Sequence, residues 1–142
     1  MRVNKALQNF NRFSDEGAHE LAVKEALGFP AKFRKELTAQ SAAFCYRLAF
    51  GLRKLNRLSE AKTYARKGSI LEGPDAAECL NLLAVMEVTD GNFAGALKHL
   101  EASVKKYPNS FDAWNNISKI YLQNKEHRSA IFACDKAIKI SN

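Results

Sequence analysis

Two stretches of this chain repeat one another at a constant spacing. A shift of the sequence by 34 residues places Leu80 on Trp114, Leu83 on Ile117 and Ala96 on Ala130. An earlier stretch, one residue longer, has small or apolar residues at the same positions: Cys45, Leu48, Ala49, Leu52, Leu58 and Ala61. A fixed period of this length is typical of units that stack and bury their apolar faces on one another. The sequence therefore predicts three consecutive copies, over residues 42–76, 77–110 and 111–142.

Each copy has the pattern of two helices joined by a short polar turn, such as Asp90-Gly91-Asn92. Small residues recur where the two helix backbones would approach each other: Ala49, Ala84 and Ser118 in the first helix, and Ala61, Ala96 and Ala130 in the second. Large apolar residues surround these positions. The pattern predicts an all-α protein built from helix-turn-helix repeats.

The last copy contains Trp114, Ile117 and Tyr121 in its first helix and Ala130 in its second. With Pro74 and Pro108 closing the two earlier copies, this pattern resembles the tetratricopeptide repeat family. The sequence departs from the family pattern where it has Ser118 in place of glycine, Glu87 in place of tyrosine and Cys134 in place of an aromatic residue. Over residues 42–142 the resemblance implies a right-handed α-solenoid, in which the first helices line a concave groove.

Residues 1–41 follow the repeat less closely. An amphipathic helix is predicted from the apolar residues Val3, Ala6, Leu7, Phe10 and Phe13. We expect Ser14 to cap a second helix from Asp15 to about Leu27. From Ala31 onward the spacing fits either one long helix or two helices separated by a kink within residues 38–41. We interpret residues 1–41 as an N-terminal helical hairpin that caps the array or forms a degenerate repeat.

The net charge of +7 is concentrated in the N-terminal half of the chain. Residues 1–67 carry 14 Lys/Arg and 6 Asp/Glu, whereas residues 68–142 carry 8 and 9. Such a field favours an acidic partner or nucleic acid, although a solvated basic surface is the simpler interpretation. The three cysteines are far apart and have no disulfide or metal-binding spacing, which indicates a reducing compartment and hence the cytoplasm.

No motif for catalysis or cofactor binding occurs in the sequence. His19, His99 and His127 lie far from one another in the sequence, and none has a carboxylate or cysteine at metal-ligand spacing. No apolar run reaches the roughly 20 residues that a membrane helix needs. We therefore expect no enzyme activity, no cofactor, no metal and no membrane segment.

The resemblance implies which side chains would face the groove. The principal set is Tyr46, Phe50, Arg53, Lys54, Glu78, Asn81, Val85, Asp112, Asn115 and Lys119, with Ala43, Val88, Thr89, Leu122 and Gln123 at further groove positions. Asn81 and Asn115 share one position of the repeat, so they could hydrogen-bond successive peptide groups of an extended guest. The basic and aromatic residues suit an acidic or aromatic peptide. Alternatively, these residues form the polar face of ordinary helices.

A second surface is predicted on the last helix, which finishes at the end of the chain without a polar capping helix. Repeat arrays need polar caps at their ends. Ile131, Phe132 and Ile138 are therefore expected to be covered by a second copy of the chain, by a partner protein or by further repeats.

These features favour a protein-protein interaction module, that is, a scaffold, adaptor or co-chaperone that binds a peptide segment. One alternative is nucleic-acid binding through the basic half, although nucleic acid is the weaker candidate because the aromatic residues mostly occupy core positions. A further alternative, based on size alone, is a secretion-type chaperone that shelters apolar segments.

Overall fold

The computed structural model describes residues 2–141, and it describes the side chains from Asn4 to Ser141. Met1 and Asn142, the outer limits of the predicted domain ranges, lie outside the described residues. Over residues 2–141 the chain forms helices and no strand. The helices are α1 (Arg2–Asp15), α2 (His19–Leu27), α3 (Ala31–Gln40), α4 (Ala42–Lys54), α5 (Leu58–Ser69), α6 (Pro74–Thr89), α7 (Phe93–Lys106), α8 (Phe111–Gln123) and α9 (His127–Ser141).

Four of the turns between helices share one backbone geometry. In each, the second residue after the first helix has a positive φ: 74° at Gly17, 61° at Asn56, 79° at Gly91 and 61° at Lys125. At the Asn56 turn, the N–H of Asn56 donates to the carbonyl of Arg53 and the N–H of Arg57 donates to that of Leu52. The same pair of bonds recurs at Gly17, Gly91 and Lys125. This is the Schellman motif, and it closes the hairpins α1–α2, α4–α5, α6–α7 and α8–α9.

The predicted cap at Ser14 is wrong, because α1 continues through Ser14 to Asp15. The helix ends in the Gly17 turn, and α2 begins only at His19, with no side-chain cap at Ala18. Glycine adopts positive φ without steric cost, so Gly17 determines the end of the helix. The amphipathic helix predicted for the N-terminus corresponds to α1, although the side chain of Val3 lies outside the described residues.

After Ala31 the structure has two helices separated by a break at Ser41, and the alternative of one long helix is wrong. Ser41 has φ −120° and ψ 104°, which is extended backbone, and it separates α3 from α4. Its hydroxyl accepts a hydrogen bond from the N–H of Phe44 at 3.1 Å, an N-cap for α4. Pro74, which was expected to close a copy, is instead the first residue of α6, where the missing N–H costs nothing.

The chain divides within α6 into two compact units, an N-terminal unit that ends at Cys79 and a C-terminal unit that begins at Leu80. In the N-terminal unit, the buried rings of Phe10, Phe29 and Phe44 pack together, with centroids 5.2–6.4 Å apart. Aromatic rings at such distances gain specific contacts beyond the burial of their surface.

Helix α5 packs very closely on its neighbours in the N-terminal unit. A Cβ atom on Gly68 would lie 2.5 Å from Sγ of Cys79 and 2.7 Å from Cβ of Cys45. Burial raises the pKa of the Cys45 thiol to about 11 and that of the Cys79 thiol to about 12. These two thiols are therefore protonated and unreactive at neutral pH.

In the C-terminal unit, small and large apolar residues form one core. Its buried members are Ala84, Ala96, Leu100, Ala113, Ile117, Ile120 and Ala133. Ala84 and Ala96 are two of the small residues predicted at the helix contacts, and both are buried in this core. Trp114 and Tyr121 lie at its edge and are only partly buried. No helix in the described part of the chain is long and apolar enough to span a membrane.

Candidate functional site: an apolar groove between α6 and α8

The C-terminal unit contains a cavity of about 610 Å³ between α6 and α8. Its lining comprises Ala84, Val85, Val88 and Thr89 of α6, Leu100 of α7, and Asn116, Lys119, Ile120, Leu122 and Gln123 of α8. We call this cavity the α6–α8 groove. It is the place where the structure brings the largest number of predicted groove residues together.

The repeat explains why these side chains meet. The shift that carries Leu80 onto Trp114 also relates three pairs that line the cavity: Val85 and Lys119, Val88 and Leu122, and Thr89 and Gln123. Within each helix the three positions have the spacing i, i+3, i+4, which places them on one face. Equivalent faces of two successive first helices therefore line the same cavity.

The floor of the groove is apolar and its polar groups are few. Lys119 is the only charged residue among those that line it, and Asn116 and Gln123 add two side-chain amides. Leu122 is 60% exposed and presents apolar surface to a ligand. Thr89 donates its hydroxyl to the backbone oxygen of Val85 at 3.1 Å, so this side chain is engaged within its own helix. The site can thus bind apolar side chains, with a cation and two amides available beside them.

The predicted groove residues of α4 form a separate cluster in the N-terminal unit. The ring of Phe50 lies 6.0 Å from that of Tyr46 and 5.4 Å from that of His19 on α2. Nζ of Lys54 lies 5.3 Å from the centroid of the Phe50 ring, a cation-π contact. Arg53 is partly buried beside them. The contact of His19 with Phe50 was not predicted from the sequence.

The remaining predicted groove residues differ in exposure. Asp112 is exposed, while Glu78 and Asn115 are partly buried. Asn81 is only 5% exposed, and neither atom of its side-chain amide has a hydrogen-bond partner among the described residues. The amide of Asn81 is therefore closed to solvent in this conformation, and the role that we expected for the Asn81/Asn115 pair stays a prediction.

The residues predicted for a C-terminal interface lie on the surface of α9. Ile131, Phe132 and Ile138 are exposed to 61%, 59% and 50%. Phe132 also contacts the partly buried Trp114, with ring centroids 6.2 Å apart, and Nζ of Lys136 lies 5.5 Å from its ring. Ile131, the exposed Cys134 and Ile138 have the spacing i, i+3, i+7, so they form one apolar stripe along the helix.

Several residues that line the α6–α8 groove were not predicted from the sequence to do so. Ala84, Leu100 and Ile120 were assigned to the core or left without a role, yet they also form the floor of the cavity. Asn116 could have been found, because residues 116, 119 and 123 share one helical face by their spacing. Across the described side chains, no group of histidine, cysteine or acidic residues is arranged to hold a metal ion.

The C-terminal part of the chain matches a known protein family. Residues 87–142 match the family model of the tetratricopeptide repeat, which confirms the predicted resemblance over that part of the chain. No curated protein matches the sequence.

Solved structures of similar fold cover nearly the whole chain. The crystal structure of MamA has a TM-score of 0.82 and 18% identity, covering 98% of this chain and 78% of that one. A segment of MamA from Desulfovibrio magneticus RS-1, residue 41 to its end, has a TM-score of 0.75 and 14% identity, covering 98% and 75%. YrrB, described as a tetratricopeptide repeat protein with an unusual peptide-binding site, has a TM-score of 0.70 and 21% identity, covering 92% and 64%. These similarities confirm the predicted fold class, an all-α tetratricopeptide-type array.

Proposed function

We propose that this chain, whose tetratricopeptide-type repeats are confirmed over residues 87–142, is a protein-interaction module that binds a peptide segment of a partner in the α6–α8 groove. The observation that carries the proposal is the apolar cavity of about 610 Å³ to which two successive repeats contribute the same three positions. Apolar clefts with a few convergent polar groups are the usual form of a binding site.

The lining indicates the chemistry of the guest. Val85, Val88 and Leu122 would cover apolar side chains of the peptide, and burial of apolar surface supplies roughly 25 cal/mol per Å². Lys119 would pair with a carboxylate beside those apolar residues. The amides of Asn116 and Gln123 would bond to the peptide backbone, since an amide both donates and accepts. The guest is thus a mainly apolar segment with an acidic neighbour.

The exposed position of Leu122 also favours a peptide. It adds apolar surface beside the partly buried Val85 and Val88, so a peptide side chain could contact all three. The similarity of fold to YrrB supports the same interpretation, because YrrB is described as having a peptide-binding site. A role as scaffold, adaptor or co-chaperone in the cytoplasm, and the alternative of a chaperone that shelters apolar segments during secretion, would both use this groove.

Selection from a random peptide library tests the proposal. We expect selected peptides to share apolar residues next to an acid, and to lose about tenfold or more in affinity for a Leu122→Asp variant, because the variant loses an apolar contact and its carboxylate competes with the peptide acid for Lys119. Leu21→Asp is the matched control, since Leu21 is an exposed leucine on α2 of the N-terminal unit. Selected peptides that bind Leu122→Asp as well as the parent would contradict the proposal.

Nucleic-acid binding is the weaker alternative because two of the arginines in the basic half already pair with carboxylates. Arg47 pairs with Asp15 at 2.6 Å, and Arg57 pairs with Glu60 at 2.8 Å. A filter-binding titration with a single-stranded oligonucleotide at rising salt decides this alternative, since phosphate contacts weaken steeply with salt.

The apolar stripe of α9 (Ile131, Cys134 and Ile138) is proposed as a surface for self-association. In a symmetric dimer across this stripe, the two copies of Cys134 would lie close together. Mild oxidation should then link the dimer through Cys134 alone, since Cys45 and Cys79 are buried. Cys134→Ser should abolish the linkage, and Ile131→Ser together with Ile138→Ser should reduce it. A chain that sediments as a monomer at high concentration would argue against this surface.

A further inference from the structure

A second cavity, of about 620 Å³, lies in the N-terminal unit between α3 and α5. Among the residues that line it are Arg34 and Lys35 of α3, Tyr64 and Lys67 of α5, and Ile70 and Leu71 just beyond α5. We call it the α3–α5 cavity. Neither the repeat pattern nor the proposed groove includes it.

The cavity has charges of one sign. Arg34, Lys35 and Lys67 contribute three cations, and none of the residues lining the cavity is acidic. Nη1 of Arg34 donates to the backbone oxygen of Leu27 at 2.7 Å, which holds the guanidinium in place at the end of α2. An arginine has five N–H donors, so others stay available to a ligand.

Apolar surface accompanies these cations. Ile70 is 79% exposed, which is more than any other large apolar side chain described in the structure. It caps the C-terminus of α5, and the partly buried Leu71 follows it. Ile70 therefore offers an apolar contact beside three cations, and a peptide that carries both acids and an apolar side chain would complement this arrangement.

The cavity arises from a departure from the repeat. Between α7 and α8 the chain runs through residues 107–110 without a further helix, whereas α3 is inserted between α2 and α4. This additional helix supplies Arg34 and Lys35. The surface is therefore specific to the N-terminal part of this chain.

We propose that the α3–α5 cavity binds an acidic peptide segment of a partner protein, with carboxylates at Arg34, Lys35 and Lys67 and one apolar side chain against Ile70. A nucleic acid fits less well, because its backbone offers nothing apolar for Ile70. The proposal does not depend on the α6–α8 groove.

A short synthetic peptide, with glutamates on both sides of one leucine and a fluorescent label, tests the proposal by fluorescence anisotropy on the full chain. We expect Lys35→Glu combined with Lys67→Glu to weaken binding about tenfold or more, because two attractions become repulsions. The matched control is Lys105→Glu combined with Lys106→Glu, an exposed basic pair at the end of α7 with the same change in net charge. This control should retain the parent affinity, as should Leu122→Asp in the groove.

Further arms test each part of the proposal. Ile70→Ser, or alanine in place of the peptide leucine, should weaken binding severalfold, and glutamines in place of the glutamates should abolish it. Lys35→Ala with Lys67→Ala serves as the second variant if charge reversal disturbs the circular dichroism spectrum. The proposal is overturned if the parent shows no binding, if both lysine pairs matter equally, or if a single-stranded oligonucleotide binds more tightly through the same residues.

Discussion

The hairpins α6–α7 and α8–α9 have the same repeat register, yet equivalent positions have different surroundings. Leu100 of α7 is buried, whereas Cys134, its counterpart one repeat later on α9, is exposed. Asn81 is buried and Asn115 only partly so. Gly91 and Lys125 occupy the same turn position and both have positive φ, although lysine has a long side chain and glycine has none. The comparison shows that repeat register determines backbone geometry, while neighbouring helices determine burial.

The largest effect is expected where burial differs most. Leu100→Ala should lower the free energy of unfolding by about 3 kcal/mol, because it leaves a cavity in a packed core. Cys134→Ala should change it by less than about 0.5 kcal/mol, since the side chain lies on the surface. Urea denaturation followed by circular dichroism measures both. Equal losses would show that register alone determines the energetics.

In the hairpin α4–α5, Gly68 occupies the repeat position that Ser103 holds in α6–α7. Gly68→Ala should lower the free energy of unfolding by about 2 kcal/mol, because the added methyl group would clash with Cys45 and Cys79. Combining it with Cys79→Ala should recover part of the loss, an interaction that a double-mutant cycle in urea detects. Strictly additive losses would rule out the contact with Cys79 as the cause.

A gain in stability is expected at Asn81. Asn81→Leu should raise the free energy of unfolding by about 1 to 2 kcal/mol, because it removes a buried amide that lacks partners among the described residues. Asn115→Leu, at the equivalent position of α8, should leave stability nearly unchanged. Calorimetric melting of both variants checks this difference. A lower melting temperature for Asn81→Leu would mean that its amide is satisfied in solution.

The smallest effects are expected in the turns, and they should have opposite signs. Lys125→Gly should stabilise the chain by about 0.5 to 1 kcal/mol, since glycine accepts φ 61° without strain. Gly91→Ala should destabilise it by a similar amount, because alanine at φ 79° is strained. Thermal melting of the two variants side by side distinguishes them. A shift in the same direction for both would contradict a common turn geometry.

Part of the site could be predicted from sequence because it depends on periodicity. Val85 and Lys119 were paired by the repeat, and the structure places both in one cavity. Leu100 and Ile120 were not expected there, because a residue that packs in a core can also form the floor of a cleft. The cluster of His19 with Phe50 joins two helices that lie far apart in sequence, and no local pattern reveals such a contact.

The errors at the N-terminus have a local cause. Ser14 has the chemistry of a helix cap, but Gly17 ends the helix three residues later by a turn that recurs in the repeats. That signal was present in the sequence, since Glu16-Gly17-Ala18 resembles Asp90-Gly91-Asn92 in its central glycine. The turn between α1 and α2 thus has the same geometry as the turns within the repeats.

The sequence by itself determined the helical hairpins, their common register and the residues on each helical face, because these follow from interactions among residues close in the chain. Tertiary structure alone decided which faces are covered: that Asn81 is buried, that Leu122 and Ile70 stay in water, and that α3 and α5 enclose a basic cavity. The physical reason is that burial depends on contacts between distant segments, and periodicity along the chain does not specify the separation of those segments in space.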